Sequence, residues 1–406
     1  MSKNNKTSKK RVYSFREGVA RSSRATMNRT ISALDELTDA GSRSSAPRVR
    51  KKRFIFLKFV AIMALIAILL LAAFSNRTLD IDRQTVTIPG LSSDLEGYTI
   101  LFISDLNGKN FGENQATLLR SISTSTTYDA VVLGDDMVGK GGNAEPLYQL
   151  VNGLGTKKPI YFCCGDSDPG PYVDEPRVQG MTRTLSQTVL ADWIVNLTSV
   201  GCTYIDAPFK VTRGNGTIWF SPANMLCVNA ETYLDEVADQ KEQEEEGMLL
   251  GLDADYNSLP YTTYRYMLAN RLAEAAADMA AEDIHIVLSH VPPADSLIET
   301  CQINRGEDSS LFLNAPDLFL SGHYCNGVWR FPLIGTLYVP STLSPRNGWF
   351  PAQEITQGMR TISGASLYVT GGLSTTSSVK LPFRLLNRPQ ISLITLSGQL
   401  PESILR

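Results

Sequence analysis

The chain reads as a layered α/β domain carried behind a single membrane-spanning helix. Three observations predict this. A 21-residue apolar stretch, Phe54–Phe74, interrupts an otherwise polar N-terminal region. Strand and helix signals alternate from residue 98 to about residue 200. Five short apolar runs, rich in β-branched and aromatic residues, each break off at an acidic residue or a histidine, as buried strands do when they run into functional loops.

The N-terminal region comes first. Residues 1–53 carry 15 Lys or Arg against four acidic residues, whereas the remainder carries 23 basic against 37 acidic. The leader is polar, Ser/Arg-rich and poor in aromatics, so disorder is expected. The stretch 54–74 has Lys58 as its one charge; at 1.5 Å per residue a helix of this length crosses a hydrocarbon core of about 30 Å. A cleaved signal peptide is the competing reading. It would have a short n-region, a shorter apolar core and a small-x-small cleavage site, and the long basic leader argues instead for an uncleaved anchor. The cluster Arg48, Arg50, Lys51, Lys52 and Arg53 places the leader in the cytoplasm by the positive-inside rule, with residues from about 76 onward outside. The leader either attracts anionic lipid or acts as a solubilising tail. Nucleic acid is excluded as a partner, because the folded part is acidic and the basic arm lies at a membrane.

Residues 75–94 are expected to be a linker and an edge strand, the strand lying around Gln84–Ile88, and 95–400 the folded domain. Strand Tyr98–Ser104 precedes Asp105 and leads to a helix near Gln115–Ser123. Strand Ala130–Leu133 precedes Asp135 and Asp136 and leads to a helix at Pro146–Gly153. Strand Ile160–Cys164 precedes Asp166 and Asp168, with a helix over Thr182–Asn196. From Cys202 to Val228 the pattern is strand-rich, with a hairpin turn at Gly214-Asn215-Gly216. Residues 231–283 form a helical insertion whose acidic stretch, Asp235–Glu246, is read as a solvated face. Strands Ile284–Ser289 and Leu318–Ser321 precede His290 and His323, and Gly327–Leu396 is expected to build an antiparallel second sheet. All six cysteines, 163, 164, 202, 227, 301 and 325, fall in the outward part, where disulfides are permitted but spacing fixes no pairing; Cys163 and Cys164 read as buried thiols.

In open α/β sheets chemistry gathers beyond the carboxyl ends of the strands. Five such ends bearing carboxylates and imidazoles point to one shared metal site. In order, Ser104-Asp105-Leu106-Asn107-Gly108, Val131-Val132-Leu133-Gly134-Asp135-Asp136, Gly165-Asp166-Ser167-Asp168, Ser289-His290-Val291-Pro292 and Ser321-Gly322-His323-Tyr324-Cys325-Asn326-Gly327 resemble the five signature motifs of calcineurin-like metallophosphoesterases. Those motifs read D-x-H, G-D, G-N-H-D/E, H and G-H-x-H. The resemblance, to membrane-anchored bacterial members, runs on through Trp329-Arg330-Phe331-Pro332, Leu337-Tyr338-Val339-Pro340-Ser341 and Val369-Thr370-Gly371-Gly372-Leu373.

It implies a four-layer α/β/β/α sandwich with one or two divalent ions (manganese, zinc or iron) at the strand ends. Matched residue by residue, the metal ligands become Asp105, Asn107, Asp136, Asp166, His290, His323 and Cys325. Asp136 would bridge the ions; a one-residue shift of the match would give that role to Asp135. Asn107 and Cys325 replace histidines, Asp166 replaces an asparagine, and Ser167 stands where the family keeps its leaving-group acid. The set Asp136, Asp166, His290 and His323 is complete, so the resemblance implies one well-kept and one degraded site. His285 lies inside a strand run and reads as structural. The resulting expectation is a hydrolase that cleaves a phosphorylated small molecule or envelope component through metal-activated water, with Asp136 and His290 essential. The alternative is a non-catalytic descendant that binds such a ligand or an envelope protein. Asp135 then adds a negative charge that would repel an anionic substrate.

Overall fold

The computed structural model describes residues 48–76, 78–173, 189–306, 309–331, 333–339, 348–375 and 383–399. The basic leader as far as residue 47, the start of the helix expected over Thr182–Asn196, and Pro332, Pro340 and Ser341 lie outside them. The chain divides into two compact units, residues 1–67 and 68–406. Helix α1 (Arg48–Ser75) contains Phe54–Ala73, a window long and apolar enough to cross a membrane. From Phe54 to Ala73 its side chains are exposed, apart from Ala72, and Ser75 at its end is buried.

The second unit holds two six-stranded sheets. Its elements in chain order are β1 (Asp80–Thr87), β2 (Thr99–Ile103), α2 (Ala116–Ser125), β3 (Ala130–Leu133), α3 (Glu145–Leu154), β4 (Ile160–Phe162), α4 (Asp192–Ser199), β5 (Cys202–Tyr204), β6 (Phe209–Arg213) and β7 (Gly216–Pro222). There follow α5 (Ala230–Leu249), α6 (Asp253–Asp278), β8 (Ile284–Ser289), α7 (Asp295–Arg305), β9 (Leu318–Ser321), β10 (Arg330–Phe331), β11 (Gly335–Thr336), β12 (Gly358–Ile362), β13 (Ala365–Val369) and β14 (Gln390–Ser397). The first sheet runs β1-β14-β2-β3-β4-β5 and the second β12-β13-β9-β8-β7-β6.

The central strands are continuous apolar runs because both of their faces are covered. On one face of the first sheet, Ile100, Phe102 and Val132 meet Ile218, Phe220, Ile286 and Leu320 of the second. On its other face, Leu101, Val131 and Phe162 pack under Leu118, Leu150 and Ile194 of α2, α3 and α4. The outer face of the second sheet is covered by Ile298 of α7 over Val287 and Phe319, and by Leu268 and Leu272 of α6 over Trp219. The layers therefore run helix, sheet, sheet, helix.

The β6–β7 hairpin closes at Gly214 and Asn215, with Arg213 opposite Gly216. The last part of the chain departs from expectation: its described strands do not build one antiparallel sheet, and only β10 and β11 pair as a small antiparallel sheet of their own. β12 and β13 form an antiparallel edge, but β13 runs parallel to β9, and β14 crosses to the first sheet between β1 and β2. The apolar run Gln390–Ser397 is buried between two strands, which short-range turn signals could not reveal. Cys227 and Cys301 form a disulfide that ties the loop after β7 to α7. Cys163, Cys202 and Cys325 are buried free thiols, and Cys164 is a half-buried one.

Candidate metal centre

The loops after β2, β3, β4, β8 and β9 meet at one end of the two sheets. The first is laddered onto the second by backbone bonds from Asp105, Asn107 and Gly108 to the carbonyls of Asp135, Asp136 and Met137. Asp105, Asn107, Asp136, His323 and Cys325 all hold left-handed backbone, with φ between 49° and 67°. Such conformations cost about 1–3 kcal/mol each and concentrate at functional sites. Close packing is demanded as well. A Cβ on Gly165 would lie 2.1 Å from Asp136 Oδ1, and one on Gly372 would lie 2.6 Å from Asp105 Oδ2.

Asp136, Asp166, His290 and His323 converge, with one ligand atom from each lying within 4.8 Å of all the others. His290 Nε2 is 2.9 Å from His323 Nδ1, 3.1 Å from Asp166 Oδ1 and 3.9 Å from Asp136 Oδ1. Asp136 is fully buried; its Oδ1 accepts from the Ser167 amide, and its Oδ2 has no partner. Two carboxylates and two imidazoles facing one another, with a buried carboxylate oxygen left over, suit a borderline divalent cation. Burial pushes Asp136 up to about 7, against the pull of His290. Burial alone would lower His290, but Asp135, Asp136 and Asp105 outweigh it and raise it to about 10. Partial burial also opposes ionisation of Asp166, yet His290, His323 and Ser167 hold it below the usual carboxylate range. The field that draws a proton to His290 would equally draw a metal ion.

Asp135 lies outside this cluster. It is 3% exposed, with Oδ2 3.5 Å from His290 Nδ1 and Oδ1 accepting from the Cys163 thiol at 3.1 Å. Its charge is therefore met by His290, and it occupies the place of the carboxylate that orients a ligating imidazole from behind. Asp168 accepts from the amides of Val138, Gly139 and Gly165, pinning the loop after Asp136 to the loop that bears Asp166. The Ser167 hydroxyl is spent on Asp166 at 3.1 Å.

The other implied ligand set is arranged differently. Asp105 accepts from Ser104 Oγ, from the His323 amide at 3.2 Å and from the Cys325 thiol at 3.5 Å. Burial raises the Cys325 thiol well above its ordinary value and raises Asp105 too, which favours a protonated sulfur over a thiolate ligand. Both polar atoms of the Asn107 side chain are buried without partners. Near Asp105 and Cys325 sits Arg384, completely buried. Its guanidinium donates to the carbonyls of Gly371, Gly372, Ser374, Asn387 and Arg388 and to Asn387 Oδ1. Burial lowers it to about 10, while Cys325 and Asp105 favour its charge. Asn387 in turn donates to the carbonyls of Cys325 and Gly327. Neither Arg384 nor Asn387 stands out in the sequence. The one signal is a cation inside the apolar run Leu381–Leu386, which resembles many ordinary surface positions.

No protein-family model matches the chain, and no curated protein matches it. Among solved structures it is similar to phosphopantetheinyl hydrolase (PptH) from Mycobacterium tuberculosis, at 12% identity, 69% coverage of this chain, 91% of that one and a TM-score of 0.32. It is also similar to vacuolar protein sorting 29 from Cryptosporidium parvum, at 14% identity, 75% and 87% coverage and a TM-score of 0.27. A third is the sulfate thiohydrolase SoxB from Thermus thermophilus, at 10% identity, 76% and 60% coverage and a TM-score of 0.28. Scores this low assign no fold, and the site stands on its own geometry.

Proposed function

We propose that the protein is a membrane-anchored, outward-facing phosphoesterase of the calcineurin-like metallophosphoesterase type, working with one divalent ion. The convergence of Asp136, Asp166, His290 and His323 within 4.8 Å carries this reading. An ion held by these four would supply Lewis acidity toward a phosphoryl oxygen and a lowered pKa for an attacking water. The chain's own residues do the rest. Asp135 holds the face of His290 away from the cleft, Asp168 fixes the spacing of the two acidic loops, and Gly165 leaves room for the Asp136 carboxylate. With Ser167 bonded to Asp166, no side chain at that position is set to protonate a leaving group. Esters with good leaving groups should therefore be cleaved best.

The anchor is α1, and the disulfide Cys227–Cys301 supports an oxidising location for the domain. The substrate is accordingly a phosphorylated small molecule or envelope component rather than a cytosolic nucleotide. A second reading, a non-catalytic protein that binds such a ligand, is favoured by the bonds that close Asp105 and Cys325 on each other.

The deciding experiment uses the full chain in detergent, with bis-p-nitrophenyl phosphate and added manganese, zinc or iron. Turnover with one of these metals, abolished in Asp136→Ala and His290→Ala, is expected. Failure to turn over under every condition, with metal bound or without it, would remove the enzyme and leave the binding protein.

A further inference from the structure

An apolar surface lies apart from the metal centre. Leu333 and Ile334 form the tip of the β10–β11 hairpin and are 108% and 58% exposed; Trp349 and Phe350 are 42% and 56% exposed. The two halves are one surface. Leu337 donates to the Trp329 carbonyl and Phe350 to the Leu337 carbonyl, while Trp349 packs on Trp329, Tyr338 and Phe350 with ring centres 5.1–6.4 Å apart. Solvent-exposed apolar groups gathered like this mark an interaction surface, unlike apolar residues scattered singly.

Its position in the chain says what covers it. Trp329 bridges to Leu385, and Arg330 donates to the Leu385 carbonyl. Leu386, the next residue, is itself exposed. The residue on the other side, Arg384, accepts through its carbonyl from the Asn76 side chain at 3.0 Å. Asn76 is three residues beyond the end of the apolar window Phe54–Ala73. The aromatic surface is therefore tied, through a few hydrogen-bonded residues, to the point where α1 would leave the hydrocarbon. Trp and Tyr, with an apolar body and a polar edge, are the residues that settle at that depth.

We propose that this surface docks on the bilayer that α1 crosses, with Leu333, Ile334, Trp349, Phe350 and Leu386 entering the boundary between headgroups and acyl chains. The proposal rests on reading α1 as a membrane anchor and is independent of the metal chemistry. Burial of a few ångströms at such a boundary is what amphipathic surface elements achieve, and here it needs no net positive charge because α1 already supplies the attachment.

The test uses the full chain in phosphatidylcholine vesicles whose acyl chains carry bromine, a contact quencher of tryptophan. Trp193 and Trp219 are buried in the domain core, so the component lost in Trp349→Phe reports on the surface. That component should be quenched by bromolipid and spared by aqueous iodide, and Ile334→Glu with Phe350→Glu should reverse the pattern without unfolding an exposed site. A Leu65→Trp variant is the control for the anchor, read as the emission it adds to the wild type. If that added emission is quenched by bromolipid while the Trp349 component stays open to iodide, the docking surface is refuted and the anchor stands. If the Trp349 component is protected from both quenchers, a protein covers the surface instead and the proposal fails. If the emission added by Leu65→Trp is not quenched, the anchor reading is the one that has failed, and the docking falls with it.

Discussion

Asp136 stands between two groups of polar side chains that satisfy themselves in opposite ways. On one side Asp166, His290 and His323 point their ligand atoms at a common centre, and the buried Asp136 Oδ2 has no partner in the protein. On the other side Asp105 is met by Ser104, the His323 amide and the Cys325 thiol, and Arg384 sits close by as a fixed cation. A buried polar atom without a partner costs about 1–3 kcal/mol, so the first group gains by taking a cation. In the second, Asp105 and the Cys325 thiol are already engaged with each other, and the orphaned atoms are those of Asn107, whose neutral amide oxygen is a weaker ligand than a carboxylate or an imidazole. Two ligand sets that share a residue can thus diverge when one of them is closed by donors from the chain.

Metal count separates the two groups most directly. The full chain, loaded with manganese or zinc and freed of excess, should hold one ion per chain by elemental analysis. His290→Ala and Asp136→Ala should hold none. Two ions in the wild type would show that the Asp105–Cys325 pair opens, and would overturn the division between the two groups.

The closed side makes the second prediction. Arg384→Met removes six hydrogen bonds and the buried cation near Asp105 and Cys325; each buried acceptor left unpaired costs about 1–3 kcal/mol. A fall in Tm well beyond that of a surface Arg→Met control is expected. If Arg384→Met is as stable as the wild type, the guanidinium is not what holds that side shut.

Much of the open side was legible in the sequence, because its ligands follow the apolar strands Ala130–Leu133, Ile284–Ser289 and Leu318–Ser321, and a strand buried on both faces announces itself by composition alone. The helix–sheet alternation was legible for the same reason. What stayed hidden was long-range. The crossing of β14 to the first sheet sets Thr395 against Thr99, 296 residues away. The closure of Asp105 depends on residues 323, 325 and 372, and the left-handed backbone at Asp136 and His323 falls on residue types that adopt it more often than most but far too seldom to announce it. Asp135 reads as a repulsive charge because the sequence does not show that His290 lies behind it.

A third prediction compares two histidines five residues apart in and after β8. His290 faces three carboxylates and is raised to about 10, whereas His285, fully buried between Ser221 and the Asn314 carbonyl, is lowered to about 4 by burial. For His285 the unfolded chain binds the extra proton between pH 6.5 and 4, so stability is present above pH 6.5 and drains away as pH falls through that window. At 1.36 kcal/mol per pH unit the loss is about 3 kcal/mol. Asp136, raised to about 7 by burial, pulls the other way in metal-free protein. The readout is therefore the difference in urea midpoint between wild type and His285→Gln, which should shrink steadily from about pH 7 to about pH 4. A constant difference would mean that His285 is protonated in the folded state.

The smallest effect sharpens the open side. Removing the group behind a metal-bound imidazole weakens metal affinity by about 10–100-fold, and the 3.5 Å contact from Asp135 to His290 Nδ1, longer than a good hydrogen bond, points to the lower end. Asp135→Ala should weaken zinc or manganese binding about tenfold while leaving one ion per chain at saturation. Asp135→Asn, which keeps an acceptor facing Nδ1, should recover most of that loss if orientation is what matters. If Asn and Ala weaken binding equally, the contribution is the negative charge and not the hold on the ring. If neither changes affinity, His290 is positioned by its packing against His323, whose ring centre lies 4.5 Å away, and Asp135 is a buried acid whose charge His290 and the Cys163 thiol merely satisfy.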